Sequence, residues 1–298
     1  MRRRDFIAGL GGAAVAGPRG AWAQQPAMPV VGFLHVGSRD AFGHVAEALR
    51  RGLAEIDFIE GRNVAIEYRW AEGQLDSLPA LVADLMRRQM AVFVGNTQAI
   101  QAAKHAGATI PFVFVSGEDP IKLGFVESLN RPGGNMTGVV SLSTGLEAKR
   151  LGLLHDVVRK ATIIAVLIDA SYSTADAQLH DVQGAAARLG LKLVVLHTSS
   201  PRDFEAAFAT AVQQKAAALL VCGSPFFNNN RDQLVALAAR HKMPAAYEWR
   251  EYATVGGLLS YGHSLTEMYR QTGIYAGRIL KGAKPADLPV VQPAKSSS

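Results

Sequence analysis

The chain has 298 residues, 49% hydrophobic and 19% charged, with a single cysteine, a globular composition long enough for two domains. Its net charge of +6 suggests a nucleic-acid partner only until residues 1–23 are set aside, because Arg2, Arg3, Arg4 and Arg19 against Asp5 supply +3 of it. The remaining Lys and Arg are scattered, never more than two in a row and without interleaved aromatics, which argues against nucleic acid, and a lone Cys222 cannot form an internal disulfide.

The amino terminus reads as a targeting segment. Arg3-Arg4-Asp5-Phe6-Ile7 is a twin-arginine pattern ahead of a weakly apolar Gly/Ala stretch, and Ala21-Trp22-Ala23 offers small residues at the positions a signal peptidase reads. Export to the periplasm with cleavage after about Ala23 is expected. The stretch is too short and glycine-rich for a membrane span. Its Gly9-Leu10-Gly11-Gly12-Ala13-Ala14 run mimics a dinucleotide fingerprint, but no strand precedes it.

From Pro29 the pattern is regular. Val30-Val31-Gly32-Phe33-Leu34 reads as a buried strand, and Phe42 to Ile56 as an amphipathic helix with Val45, Leu49, Leu53 and Ile56 on one face. Val64 to Trp70 alternates like an edge strand, and Leu78 to Arg88 reads as a helix. Ala91-Val92-Phe93-Val94 and Pro111-Phe112-Val113-Phe114-Val115 are apolar runs typical of strands buried on both faces. Each runs into a polar turn: Asn96 or Thr97 suits the N-cap of a helix to His105, and Asp119 suits a second helix that Pro120 would begin. Asn130 to Gly138 is a rigid turn into a further strand.

After Ser143 the alternation restarts. Helices are expected at Leu146–Val158, Ala175–Leu189, Asp203–Gln214, Arg231–His241 and Leu265–Leu280. Strands are expected at Thr162–Ile168, Lys192–His197, around Cys222, at Pro244–Tyr247 and at Gly257–Tyr261. The fold class is therefore α/β, with two similar doubly wound parallel-sheet domains.

No constellation for catalysis stands out: there is no G-x-S-x-G elbow, P-loop, HExxH or paired-Cys motif, and the eight histidines are dispersed. Neither a metal nor a cofactor is expected. The polar strand ends make better sense as a cleft for a small ligand, at the carboxyl edge where open α/β sheets bind. The candidates are Ser38, Asn96, Thr97, Glu118, Asp119, Ser171, Tyr172, Ser224, Phe226, Glu248 and Trp249. Helix N-termini at Thr97 and Pro120 would favour a carboxylate, and Tyr172, Phe226, Phe227 and Trp249 offer faces for a flat apolar group. The ordinary readings of the same residues are turn formers and, for Phe226-Phe227, core.

Several runs are distinctive: Ala23-Gln24-Gln25-Pro26, Ala65 to Gly73 (AIEYRWAEG), Asn130 to Asn135 (NRPGGN), Tyr247 to Glu251 (YEWRE) and Arg278 to Pro285 (RILKGAKP). Together they resemble the ABC-transporter substrate-binding family typified by tryptophan/tyrosine-binding proteins. The resemblance implies a type I periplasmic-binding-protein fold, in which two domains joined by a multi-strand hinge close on a ligand in the cleft between them. It places an N-terminal domain at 29–142 plus 264–287, a C-terminal domain at 143–263, and a tail at 288–298 that stops short of the third crossover strand. It implies a monomer that binds an aromatic amino acid or another carboxylate and meets an ABC permease in the inner membrane. Besides that tail, a second departure matters: Ser224-Pro225 stands where aromatic-amino-acid binders carry an Asp-Asn pair, so an acidic partner for an α-ammonium is missing there. Either Glu248 replaces it or the ligand lacks an amine. An exported α/β enzyme and a ligand-sensing subunit of a membrane signalling system are the other readings.

Overall fold

The computed structural model describes residues 28–141, 146–293 and 295–297; residues 1–23, read above as a targeting segment, lie outside them. The first half runs β1 (Val30–His35), α1 (Arg39–Ala54), β2 (Ala65–Trp70), α2 (Leu78–Met86), β3 (Val92–Asn96), α3 (Thr97–His105), β4 (Phe112–Ser116) and β5 (Met136–Val140). These strands form one parallel sheet in the order β2-β1-β3-β4-β5. β3, β4 and β5 are buried at every position, as their unbroken apolar runs require. β2 is half-buried throughout and sits at the sheet edge, which matches its alternating sequence. Strand order reverses between β1 and β3, so a crevice opens there at the carboxyl ends.

The second half continues with α4 (Leu146–Val157), β6 (Ile163–Asp169), α5 (Ala175–Leu189), β7 (Lys192–Thr198), α6 (Phe204–Gln213) and β8 (Ala218–Val221). It is completed by α7 (Pro225–Asn229), α8 (Arg231–Arg240), β9 (Ala245–Tyr247), α9 (Arg250–Thr254), β10 (Leu259–His263), α10 (Leu265–Leu280) and β11 (Lys295–Ser297). The sheet order is β11-β10-β9-β8-β6-β7, parallel except for the β10–β11 pair. Its order reverses between β6 and β8, a second crevice of the same kind. The short helices α7 and α9 have no counterpart in the periodicity reading, because five residues are too few to show a 3.6-residue repeat.

The chain passes between the sheets after β5, after β10 and again before β11. After the second passage α10 returns to the first sheet, where Leu265, Met268, Tyr269 and Tyr275 join Phe33, Val45 and Leu49 in one core. Glycines let α10 approach α1 closely: a Cβ on Gly52 would lie 1.8 Å from the Arg270 carbonyl oxygen, and one on Gly273 2.2 Å from that of Leu49. The segment read as a shortened tail forms a bridge between Val291 and Val139, is fixed by a 2.6 Å bond from Thr137 Oγ1 to the Leu288 carbonyl, and then supplies β11.

One expected element is absent. Pro120 begins a turn rather than a helix: the Asp119 carboxylate accepts from Ile121 N at 2.9 Å, and the turn ends at Gly124, whose φ of +63° is left-handed. Phe125 and Val126 then pack into the core. Their burial pulls the chain out of helical geometry after one turn.

Candidate ligand-binding cleft

The two crevices face each other, so strand ends from both sheets converge on one cleft. The first domain contributes His35 from the end of β1, Phe42 from α1, Asn96 and Thr97 at the β3–α3 junction, and Ser141 beyond β5. The second contributes Tyr172 after β6, Gly223 and Ser224 after β8, Asn228 on α7, and Glu248 and Trp249 after β9; Met268 and Tyr269 of α10 complete the wall. Aromatic rings dominate: His35 lies 4.1 Å from Phe42 and 6.0 Å from Tyr269 between ring centres.

The polar groups divide into engaged and open ones. At the start of α3, Thr97 Oγ1 donates to Ser116 Oγ at 3.0 Å, and Ser116 holds the Glu118 backbone on both sides. Asn96 occupies the N-cap position without a side-chain capping bond, its amide nitrogen donating instead to Gln98 Oε1 at 2.7 Å. The first-turn amides of α3 therefore face the cleft without a side-chain acceptor, a geometry suited to an anion. Asn96, Ser141, Asn228 and Tyr269 line the cleft, and Asn96 Oδ1, Ser141 Oγ, both polar atoms of the Asn228 amide and Tyr269 Oη are buried and make no hydrogen bond among the described residues. Each such group costs about 1–3 kcal/mol if left unsatisfied, so the cleft is built to take donors and acceptors from elsewhere.

Charge is sparse. Burial holds the His35 imidazole down at about 3, with His44 adding to the effect, and its Nδ1 accepts from Gly37 N at 2.9 Å. It is a neutral wall. Glu248 is pushed up to about 7 by burial, against the pull of Arg150 and with a further push from Glu147. Arg150 and Glu147, one turn apart on α4, are both buried; Arg150 Nη2 bonds Glu147 Oε1, and Nη1 donates to the Tyr261 carbonyl at 3.2 Å. Among the described residues no group of three His, Cys, Asp or Glu is placed to hold a metal ion.

Of the residues singled out from sequence, Asn96, Thr97, Tyr172, Ser224, Glu248 and Trp249 line this cleft. Ser171 and Phe226 line an adjoining chamber at its mouth, which shares Gln98, Tyr172 and Pro225 with the inner one. Ser38, Glu118 and Asp119 line neither. Ser38 caps α1 by accepting from Ala41 N at 3.1 Å, Asp119 holds its turn, and Glu118 reaches Ser173 of the other domain, burial raising its carboxyl above the usual range. The Phe pair divides: Phe227 is core and Phe226 is half-buried. Sequence reasoning missed His35, Ser141, Asn228, Tyr269 and the Glu147–Arg150 pair. The last left a signal, since Glu147, Arg150, Leu151 and Leu154 recur at helical spacing, which puts two charges on an apolar face.

Two doubly wound domains, crossed by the chain three times and facing each other over an aromatic, polar-edged cleft, define the type I periplasmic binding fold. Residues 30–298 match the family described as ABC transporter substrate binding protein, and the chain belongs to that family. It is similar to a tyrosine-binding protein of Clostridioides difficile, 23% identical over 242 residues, which spans 80% of this chain and 69% of that protein. Among solved structures it resembles a conserved domain protein of Vibrio cholerae (TM-score 0.81, 24% identity, 91% of this chain and 90% of the other). It also resembles an ABC domain from Streptococcus pneumonia in complex with L-Trp (TM-score 0.78, 24% identity, 90% of each chain).

Proposed function

We propose that this chain is the extracytoplasmic receptor of an ABC importer, binding a small ligand with a flat apolar body and a carboxylate by closure of its two domains. Its permease would recognise the closed form, the targeting segment at residues 1–23 would direct export, and no covalent step would occur. The observation that carries this reading is the cleft itself: Asn96, Ser141, Asn228 and Tyr269, whose buried polar atoms are unpartnered among the described residues, line a space walled by Phe42, Tyr172 and Trp249. The uncapped start of α3 suits a carboxylate, and the aromatic walls suit a ring. The tyrosine-binding relative and the L-Trp-bound neighbour point the same way.

Thermal melting against a panel of aromatic amino acids, aromatic and aliphatic carboxylates, sugars and nucleotides tests it. A ligand at about 100 times its Kd adds roughly 2.7 kcal/mol, and about 2–4 °C accompanies each kcal/mol in a chain this large. A rise of that size with one carboxylate class is expected. A rise with nucleotides alone, or with nothing, would overturn the receptor reading.

A further inference from the structure

Polar side chains cluster on and beside α7, and all but one are engaged with the protein. Ser224 Oγ accepts from Phe227 N at 3.1 Å, and Asn229 Oδ1 accepts from Ser38 N at 3.1 Å. Asn230 Nδ2 donates to the Phe226 carbonyl at 2.8 Å, and Arg231 Nη1 donates to the Ala41 carbonyl at 3.0 Å. Asn228 is the exception. It is 1% exposed, yet neither its Oδ1 nor its Nδ2 has a hydrogen bond among the described residues. Its main chain is held on both sides: Asn228 N donates to the Ser224 carbonyl at 3.1 Å, and Arg231 Nη1 donates to the Asn228 carbonyl at 3.3 Å. A buried carboxamide with both heads unmet is costly and rare in folded proteins, and this one lines the inner chamber.

The rest of the chamber indicates what kind of group would meet it. Among the described residues that line it there is no Lys or Arg, and Glu248 is the one carboxylate. His35 is neutral, and Gly37 N donates to its Nδ1 at 2.9 Å, which leaves the ring proton on Nε2. Ser141 Oγ and Tyr269 Oη are further neutral groups without a partner among the described residues. Phe42, Tyr172 and Trp249 supply aromatic walls. The setting is one of uncharged hydrogen bonds beside flat rings. A carboxamide carries an acceptor and two donors, so its two heads are met together by a group with a donor and an acceptor side by side. Lactam, ureide and carboxamide edges have that pattern, as does the adenine edge that Asn reads in DNA. A hydrocarbon ring meets neither head, and an indole N–H meets Oδ1 alone.

Resting on the receptor reading above, we propose that Asn228 reads an amide-type edge on the flat body of the ligand, so that the molecule received is a carboxylate whose ring is a nitrogen heterocycle or bears a carboxamide. The faces of such a ring remain apolar and suit the aromatic walls, while its edge supplies the donor and acceptor that Asn228 lacks.

Calorimetric titration of the full chain with probes of one shape decides the point. 4-Carbamoylbenzoate has both donor and acceptor, 4-acetylbenzoate has the acceptor alone, and 4-isopropylbenzoate has neither. 6-Oxo-1,6-dihydropyridine-3-carboxylate against benzoate repeats the comparison in a heterocycle, and L-tryptophan serves as the indole reference. The carbamoyl probe should bind roughly tenfold more tightly than the acetyl probe and roughly 100-fold more tightly than the isopropyl probe, the scale for leaving one or two buried polar groups unpaired. Asn228→Asp keeps the shape and removes both donors, and should abolish the carbamoyl preference. Asn228→Leu removes both heads, and should reverse the order in favour of the isopropyl probe. If the Leu variant does not fold, the Asp variant and the wild-type series decide. Equal affinity across the wild-type series, a ranking that neither variant changes, or tighter binding of L-tryptophan than of every amide-edged probe would overturn the proposal and leave the receptor reading intact. So would silence from all the probes alongside stabilisation by another carboxylate of the wider panel. Binding by no probe, together with no stabilisation by that panel, would overturn both.

Discussion

The raised carboxyl of Glu248 has a consequence for the stability of the free protein. Its carboxyl is raised from 4.5 to about 7 in the fold, so between those values the folded chain holds a proton that the unfolded chain has lost. Stability attributable to this group is fully present below about pH 4.5 and declines as pH rises to about 7. At roughly 1.4 kcal/mol per pH unit, the loss is on the order of 3 kcal/mol at most. Glu248→Gln should therefore unfold at higher urea than the wild type near pH 8 and at the same urea near pH 4.5, ligand absent. Equal midpoints at both pH values would mean that Arg150 already compensates the carboxylate. His35 has the opposite sign, because its depressed imidazole costs stability as pH falls below about 6.5, and the comparison must be made between variants at one pH. At this scale the site was only half legible. Residues at strand ends can be read from where apolar runs stop, which found Asn96, Tyr172 and Glu248. Ser38 and Asp119 share that position in sequence, but their side chains turn back to cap α1 and a turn. Asn228 and Tyr269 come to the cleft on helices, and no strand-end signal marks them.

The elements themselves were easier. Buried parallel strands announce themselves as short unbroken apolar runs, and α5 and α10 are framed by clear stops: Gly190 in left-handed geometry ends the first, and Ser264, accepting from Glu267 N at 3.2 Å, begins the second. What the pattern could not give was the packing partner. α10 follows the last strand of the second domain in sequence, yet it docks on the first sheet, because its buried face fits α1 through paired glycines. That contact makes an element-scale prediction. Gly273→Ala places a methyl 2.2 Å from the Leu49 carbonyl, and backbone cannot yield as a side chain tip would. The two helices must separate, at a cost of about 1–3 kcal/mol, the usual range for overpacking. Gly184→Ala on the exposed face of α5, where the nearest atom is the Arg188 guanidinium at 3.7 Å, should instead add roughly 0.5–1 kcal/mol from helix propensity. Urea denaturation of both variants checks the pair. A neutral Gly273→Ala would mean that α1 and α10 can slide apart freely, and the rigid union of α10 with the first domain would be lost.

For the whole molecule, the question is what holds the domains together when the cleft is filled. On one side of the cleft, α1 of the first domain meets α7, α8 and α9 of the second. Arg231 Nη1 donates to the Ala41 carbonyl at 3.0 Å, Ser38 N donates to Asn229 Oδ1 at 3.1 Å, and His44 Nε2 lies 3.1 Å from Glu251 Oε1. Asn228, the neighbour of Asn229 on α7, lines the cleft, and both its polar side-chain atoms are buried without a hydrogen bond among the described residues. One short helix thus presents a cleft-lining residue and a domain contact in succession. On the receptor reading proposed above, a ligand that bonds Asn228 would fix the segment that Asn229 and Arg231 use to grip α1, which would give closure a differential contact of the kind a conformational shift requires. Arg231→Met retains most of the stem and removes the charged hydrogen bond to Ala41, together with a longer one of 3.3 Å to the Asn228 carbonyl, the first worth roughly 1.5 kcal/mol or somewhat more. Because Arg231 does not line the ligand chamber, the loss should appear as a shifted equilibrium rather than a damaged site. The expected result is a Kd raised about tenfold, with the preference among ligands unchanged and a larger radius of gyration by X-ray scattering at subsaturating ligand. An unchanged Kd and radius would remove this contact from the closing mechanism and leave the strands at the chain crossings to set the angle between the domains.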